Sequence, residues 1–230
     1  MDSGKCPKCN GIGYIITKHE KYQDFVRECD CRKAQNAKDL LRRSGISQSF
    51  KSYSFKSFLS VSEGAKYAKS KAMDYVINFD KIRASRQNST AFLGQVGSGK
   101  THLCMAIVNS LLERNIPVLY MPYREAITEI KQNILDEVKY LNLINKYKNA
   151  EVLYIDDLFK GKITESDINI MFEIVNYRYI NNLPLIISSE FKIDRLLDFD
   201  EAIGSRIVEM AKDYLVVMDG DNYRLKGVFE

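Results

Sequence analysis

Gly94-Gln95-Val96-Gly97-Ser98-Gly99-Lys100-Thr101 is the stretch on which the reading of this chain turns. It satisfies the spacing Gly, four residues, Gly-Lys-Ser/Thr in full, and it stands between an apolar run at 90–93 and a helical pattern that opens at Lys100. That is where the mechanism needs it. Glycines let successive backbone N–H groups converge on the oxygens of a nucleoside triphosphate, and the helix N-terminus adds partial positive charge. Lys100 supplies a mobile ammonium and Thr101 a hydroxyl for Mg²⁺, so the eight residues predict an ATP·Mg²⁺ cradle.

Outward from this loop, apolar runs at 90–93, 117–121, 152–155, 185–188 and 214–218 alternate with helical periodicity at 100–114, 123–147, 164–181 and 203–212. Strands that are apolar throughout and separated by helices predict a parallel sheet covered on both faces. The expected core is therefore α/β, five parallel strands sandwiched by helices. Upstream, 63–83 reads as a helix, and 48–62 carries Phe50, Tyr53, Phe55 and Phe58, too aromatic for a free linker. The run at 123–147 has Ile127, Ile130, Ile134, Val138, Leu141 and Ile144 at helical spacing, which predicts one long helix with its charged residues on other faces.

The strand at 152–155 leads into Asp156-Asp157. Two carboxylates at the end of an apolar strand often make only a turn or a cap. Beside a phosphate loop they predict more: Asp156 holds Mg²⁺ through water, and Asp157 orients and deprotonates the attacking water.

Four of the five cysteines fall near the N-terminus, as Cys6-Pro7-Lys8-Cys9 and Cys29-Asp30-Cys31, with 19 residues between the pairs. Two such pairs meet at one tetrahedral Zn²⁺, and the intervening 14–16 and 22–26 read as a hairpin. The second pair is one residue shorter than the usual spacing, so His19 stands as a substitute ligand. Four thiolates leave no open position, so the zinc would be structural. Cys104, alone in an apolar pattern, reads as a buried small side chain.

The chain has 230 residues and a charge balance of 34 minus 30, or +4, with the whole excess in residues 1–50. Zinc thiolates there would offset much of it, so the net charge alone does not point to nucleic acid. No stretch reaches the roughly 18 apolar residues of a membrane span, and the start of the chain has no signal-peptide pattern, so a cytoplasmic protein with no membrane partner is expected.

The order of the phosphate loop, Asp156-Asp157, Ser188-Ser189-Glu190 and Gly204-Ser205-Arg206 resembles the AAA+ ATPases, and among them the bacterial and phage replicative helicase loaders of the DnaC/DnaI type. The resemblance implies an N-terminal zinc module at 1–45 that binds a hexameric replicative DNA helicase, an arm at 46–62, and an ATPase core at 63–230 without a helical lid. It implies single-stranded DNA binding, with the 123–147 region near the strand, and self-association in the ATP state. It makes Ser189 a sensor of the γ-phosphate, with Glu190 where the family has Asn. Arg206 becomes the finger inserted into a neighbour's site, with Arg178 and Arg224 as weaker candidates. A transposition helper of the IstB kind has a similar core and is the alternative, which the cysteine module opposes. A small-molecule kinase would need an acceptor pocket and an arginine-rich lid that the sequence lacks.

Overall fold

The computed structural model describes residues 6–17, 25–29, 31–32, 44–46, 48–219 and 222–223. Near the N-terminus, β1 (Tyr14–Thr17) pairs antiparallel with β2 (Phe25–Glu28), Tyr14 opposite Glu28. His19 and Arg224 lie outside the described residues, as do positions 33–43, where Leu40 and Leu41 in the run from Arg32 to Arg43 carry a helical period.

The main sheet has five strands, β3 (Thr90–Gly94), β4 (Val118–Pro122), β5 (Val152–Leu158), β6 (Leu185–Ser189) and β7 (Leu215–Met218), in the order β4-β5-β6-β3-β7. Every pairing in it is parallel. β3, β5 and β6 have almost no exposed residue, which is why they read as continuous apolar runs and not as alternating ones. One apolar cluster lies on each face of the sheet, with Leu93, Ile155 and Ile187 on one side and Phe92, Tyr154 and Ile186 on the other.

Helix α1 (Glu63–Ile82) opens at Ser62, whose side chain accepts the N–H of Ala65, and buries Ala65, Ala68, Ala72, Tyr75 and Phe79. Three alanines in that stripe let its backbone lie close to α2 (Lys100–Glu113), the helix that begins in the phosphate loop. The aromatic segment before α1 packs on the same face: Phe58 is buried in that cluster, with Phe50, Tyr53 and Phe55 against it.

The expected single helix at 123–147 is instead two, α3 (Tyr123–Gln132) and α4 (Glu137–Lys148). Asn133 caps the first, and the Asp136 carboxylate accepts the Lys139 N–H to start the second. Both residue types compete with the helical backbone and favour its ends. The break changes the apolar face. Ile127, Ile130 and Ile144 are core residues, while Ile134, Leu135, Val138 and Leu141 are exposed.

After β5 come α5 (Glu165–Ile180) and then, beyond β6, α6 (Ile193–Phe199) and α7 (Glu201–Met210). No apolar periodicity marks the seven residues of α6 in advance. Gly204 sits where a Cβ would stand 2.9 Å from Leu196 O, so a glycine there permits the close approach of α7 to α6.

Candidate functional site

The sheet brings three segments to the C-terminal edge of its central strands: the loop after β3, the end of β5 and the end of β6. In open parallel sheets this edge is where ligands sit. The loop after β3 enters through Gly94 (φ 112°) and turns at Gly97 (φ 75°), backbone conformations an L side chain rarely adopts. Lys100 is buried and folds its Nζ back to donate to Gly94 O at 2.9 Å and Gln95 O at 2.5 Å. Burial pulls its pKa below the ordinary lysine value, against the opposing pull of Glu190 and Asp157.

Asp156 is the most heavily engaged carboxylate of the site. Its Oδ1 accepts from Tyr154 Oη at 2.6 Å, Ser188 Oγ at 2.6 Å and Thr101 Oγ1 at 3.1 Å, and its Oδ2 accepts from Tyr120 Oη at 3.1 Å. Four hydroxyl donors on one buried carboxylate fix its orientation. Burial and the negative field of Asp156 push the Tyr120 phenol well above its ordinary pKa, so it stays a donor.

Asp157 follows in the left-handed region (φ 56°), where β5 bulges against β6 between Ile155 and Leu158. Its N–H donates to Ser188 Oγ at 2.9 Å. Its Oδ2 lies 2.8 Å from Lys160 Nζ, which in turn is 3.1 Å from Glu190 Oε1.

These groups share one hollow of about 430 Å³. The phosphate loop, Asp156 and Asp157 line one part of it, and Phe50, Tyr53, His102 and Tyr223 line another. Tyr53 stacks on His102, with ring centroids 4.6 Å apart and planes 9° from parallel. Thus Val96, Gly97, Gly99, Lys100, Thr101, Asp156 and Asp157 come together, with Gly94, Gln95 and Ser98 building the loop's inner turn, where Ser98 Oγ donates to Gln95 O.

Ser189 does not face this hollow. It is fully buried, its hydroxyl donates to Leu158 O at 2.7 Å, and the residue of that triplet that lines the hollow is Glu190, countered by Lys160. Arg206 lies on α7, with its Nε 3.1 Å from Asn176 Oδ1 and its guanidinium over the Phe172 and Tyr179 rings, so it is not part of its own chain's hollow. Arg178 is not a finger candidate: it has no exposure and donates to Tyr147 O, Lys148 O, Ala150 O and Pro184 O. Its work is to satisfy the carbonyls at the end of α4.

Sequence reading missed Tyr120, Tyr154 and Lys160. Tyr154 was open to detection, because residues two apart on a strand share a face, which sets its phenol beside Asp156.

Among the described residues, one group of side chains could hold a metal ion: Cys6, Cys9, Cys29 and Cys31, whose sulfurs all lie within 4.8 Å of one another. Zn–S bonds of about 2.3 Å at tetrahedral angles put sulfurs about 3.8 Å apart. Cys6 and Cys29 are at 3.8 Å, and Cys9 and Cys31 at 3.3 Å, so the donor set fits such an ion. Burial raises Cys9, but the Gly13 N–H and the neighbouring thiols outweigh it and bring it down to about 6, while the contact with Cys9 and burial push Cys31 up to about 12, so the thiols titrate as a set.

Comparison with known proteins agrees with this architecture. The family profile for the bacterial DnaA ATPase domain matches residues 50–211. The chain is 39% identical to the phage-like element PBSX protein XkdC of Bacillus subtilis, over 97% of this chain and 87% of that protein. It is also 39% identical to the uncharacterized protein YqaM of the same organism, over 93% and 71%. Identity to the replicative helicase loader DnaC of Escherichia coli is 28%, over 92% of this chain and 86% of that one. A DnaI crystal structure superposes on 77% of this chain and 94% of its own with a TM-score of 0.62 at 24% identity, a likeness of fold. With the phosphate loop, the strand-end carboxylates and the cysteine cluster already in place, these matches put the chain among the AAA+ ATPases, in the DnaC/DnaI-like helicase loader family.

Proposed function

We propose that this protein is an ATP-controlled loader that binds a hexameric replicative DNA helicase through residues 1–45 and, in its ATP state, delivers it to single-stranded DNA. Residues 46–62 serve as the arm between that module and the ATPase core at 63–230. The observation that carries the reading is the 3.1 Å contact of Thr101 Oγ1 with Asp156 Oδ1 at the mouth of the phosphate loop, in a chain of this family. Those two residues would hold Mg²⁺, which supplies positive charge against the phosphate oxygens when bound. Lys100 and the loop N–H groups bind and orient the triphosphate. Asp157 takes the proton of the attacking water as its oxygen bonds to the γ-phosphorus and the bond to the β–γ bridging oxygen breaks.

Arg206 acts on a neighbouring copy, where its planar guanidinium meets the charge of the transferred group. Its exclusion from its own chain's hollow supports an action in trans. Cys6, Cys9, Cys29 and Cys31 hold a structural Zn²⁺ without which about 30 residues could not build a core. ATP and ADP then bias two assembly states by their differential affinity, so slow turnover suffices. The test is to mix the protein with its cognate helicase and weigh the complexes by native mass spectrometry with ATP, with ADP and without nucleotide. A nucleotide-dependent complex is expected; no association under any of the three conditions rejects the reading.

A further inference from the structure

A second hollow, of about 420 Å³, lies beside the nucleotide site, lined by Tyr123, Arg124, Thr128, Lys131, Lys160 and Lys162, with Asp167 as its one carboxylate. Four cations face it. Lys131 is paired with Asp167 at 2.7 Å, whereas Arg124 and Lys162 have no ion-pair partner among the described residues. Tyr123 is 3% exposed, and its hydroxyl is a buried polar atom without a hydrogen-bond partner. An orphaned donor in a cationic hollow calls for an acceptor with negative charge.

Lys160 belongs to both hollows. Its Nζ donates to Asp157 Oδ2 at 2.8 Å and Glu190 Oε1 at 3.1 Å, and it stands on a turn with two left-handed residues, Asp157 (φ 56°) and Phe159 (φ 61°). A bulky residue in that region is strained unless its surroundings hold it there. Phe159 is held by an aromatic cage: Phe199 at 4.8 Å, Phe191 at 6.1 Å, and Tyr123, the wall of the second hollow, at 5.7 Å. The turn thus fixes Lys160 on the boundary between an anion-seeking surface and Asp157.

We propose that the second hollow is a phosphate-class anion site and that Lys160 couples it to hydrolysis, as a positioning residue that clamps Asp157 until an anion draws the ammonium away. This rests on Asp157 being the base. While Lys160 holds Asp157 Oδ2 at 2.8 Å, that oxygen is turned to the ammonium and not to a water at the γ-phosphate. A phosphodiester in the hollow competes for the same ammonium on its flexible stem, and its release leaves Asp157 free. The ligand is a phosphate group, carried by a nucleic-acid strand or free in solution.

The experiment uses the full chain, a fluorescein-labelled oligothymidylate and, separately, inorganic phosphate. Anisotropy without nucleotide reads binding, and ATP turnover reads coupling. Turnover of the unaltered protein should rise with oligothymidylate. Lys160→Met should have a raised basal rate and no further response, and Lys160→Arg should restore the response. Arg124→Ala combined with Lys162→Ala should weaken oligothymidylate binding about tenfold. Stimulation by phosphate alone, in competition with the oligonucleotide, identifies the free ion as sufficient and supports the site. A Lys160→Met rate at or below that of the unaltered protein with its response intact overturns the coupling. Unchanged oligothymidylate binding in the Arg124/Lys162 variant overturns the site. A chain that turns over no ATP at all defeats the hydrolysis reading instead, and the anisotropy arm still decides whether the hollow binds phosphate.

Discussion

Tyr154 places its hydroxyl 2.6 Å from Asp156 Oδ1 on a ring that is wholly buried in the sheet. A buried phenol left without an acceptor is costly, so the carboxylate and the ring help to fix each other. A hydrogen bond to a charged group is worth about 1.5–3 kcal/mol, and Tyr154→Phe removes it with little change in packing. Asp156 should then hold its orientation towards Thr101 less firmly. The expected result is an Mg²⁺ half-saturation of turnover raised about tenfold, with nucleotide affinity in EDTA unchanged. An unaltered Mg²⁺ titration would show that Ser188, Thr101 and Tyr120 orient the carboxylate without help.

Gly94 meets Met218 O so closely that a Cβ would stand 2.7 Å from it, and its φ is 112°. Gly94→Ala should lower stability by about 1–3 kcal/mol through strain and backbone displacement, read as a shift in the denaturation midpoint. Nucleotide affinity should fall with it, because the loop whose carbonyls hold Lys100 begins at this residue.

Cys6→Ser should lower bound zinc below one per chain and unfold the cysteine module while the core still binds ATP, measured by metal release to a chromogenic chelator and by nucleotide titration. Metal affinity should also fall as pH falls, because protons compete for the ligand sulfurs. Full zinc stoichiometry in Cys6→Ser would reject the four-thiolate site.

Arg178 and Arg206 should separate cleanly. Arg178→Met removes the side-chain donor to four carbonyls, of which Pro184 O keeps the Leu153 N–H, and should cost at least about 3 kcal/mol of stability, visible in urea unfolding. Arg206→Ala is a surface change, expected within about 1 kcal/mol in stability, that lowers turnover only when copies are assembled. Normal turnover of assembled Arg206→Ala would remove it from the mechanism.

The parts of the fold written as unbroken apolar runs were legible, because strands buried on both faces leave no alternation to misread. β3 through β7 fall within a residue or a few of their expected bounds. Long-range packing was not legible in the same way. Nothing local marks Ile134 and Leu135 as exposed; Asn133 and Asp136 were the residues to weigh, since their caps outrank the apolar spacing that suggested one helix. At the site, Lys100, Thr101, Asp156 and Asp157 were legible from motif and position. Ser189 was not, because whether a strand-end hydroxyl faces a ligand or the neighbouring strand depends on the bulge in β5. Lys160 meets Asp157 and Glu190 only because two residues of the turn adopt left-handed geometry, which a non-glycine sequence does not announce.

The stack of Tyr53 on His102 has a mechanical side. Asn109 Nδ2 also donates to Phe50 O at 3.0 Å and Tyr53 O at 2.8 Å, and the Phe58 ring stands where a side chain at Gly99 would go. The segment that enters the core from the N-terminal side is therefore riveted at several points to the helix carrying Lys100 and Thr101. Tension applied upstream of Phe50 reaches that helix with little slack, and a shift of the helix on filling its cradle is felt along the same strap.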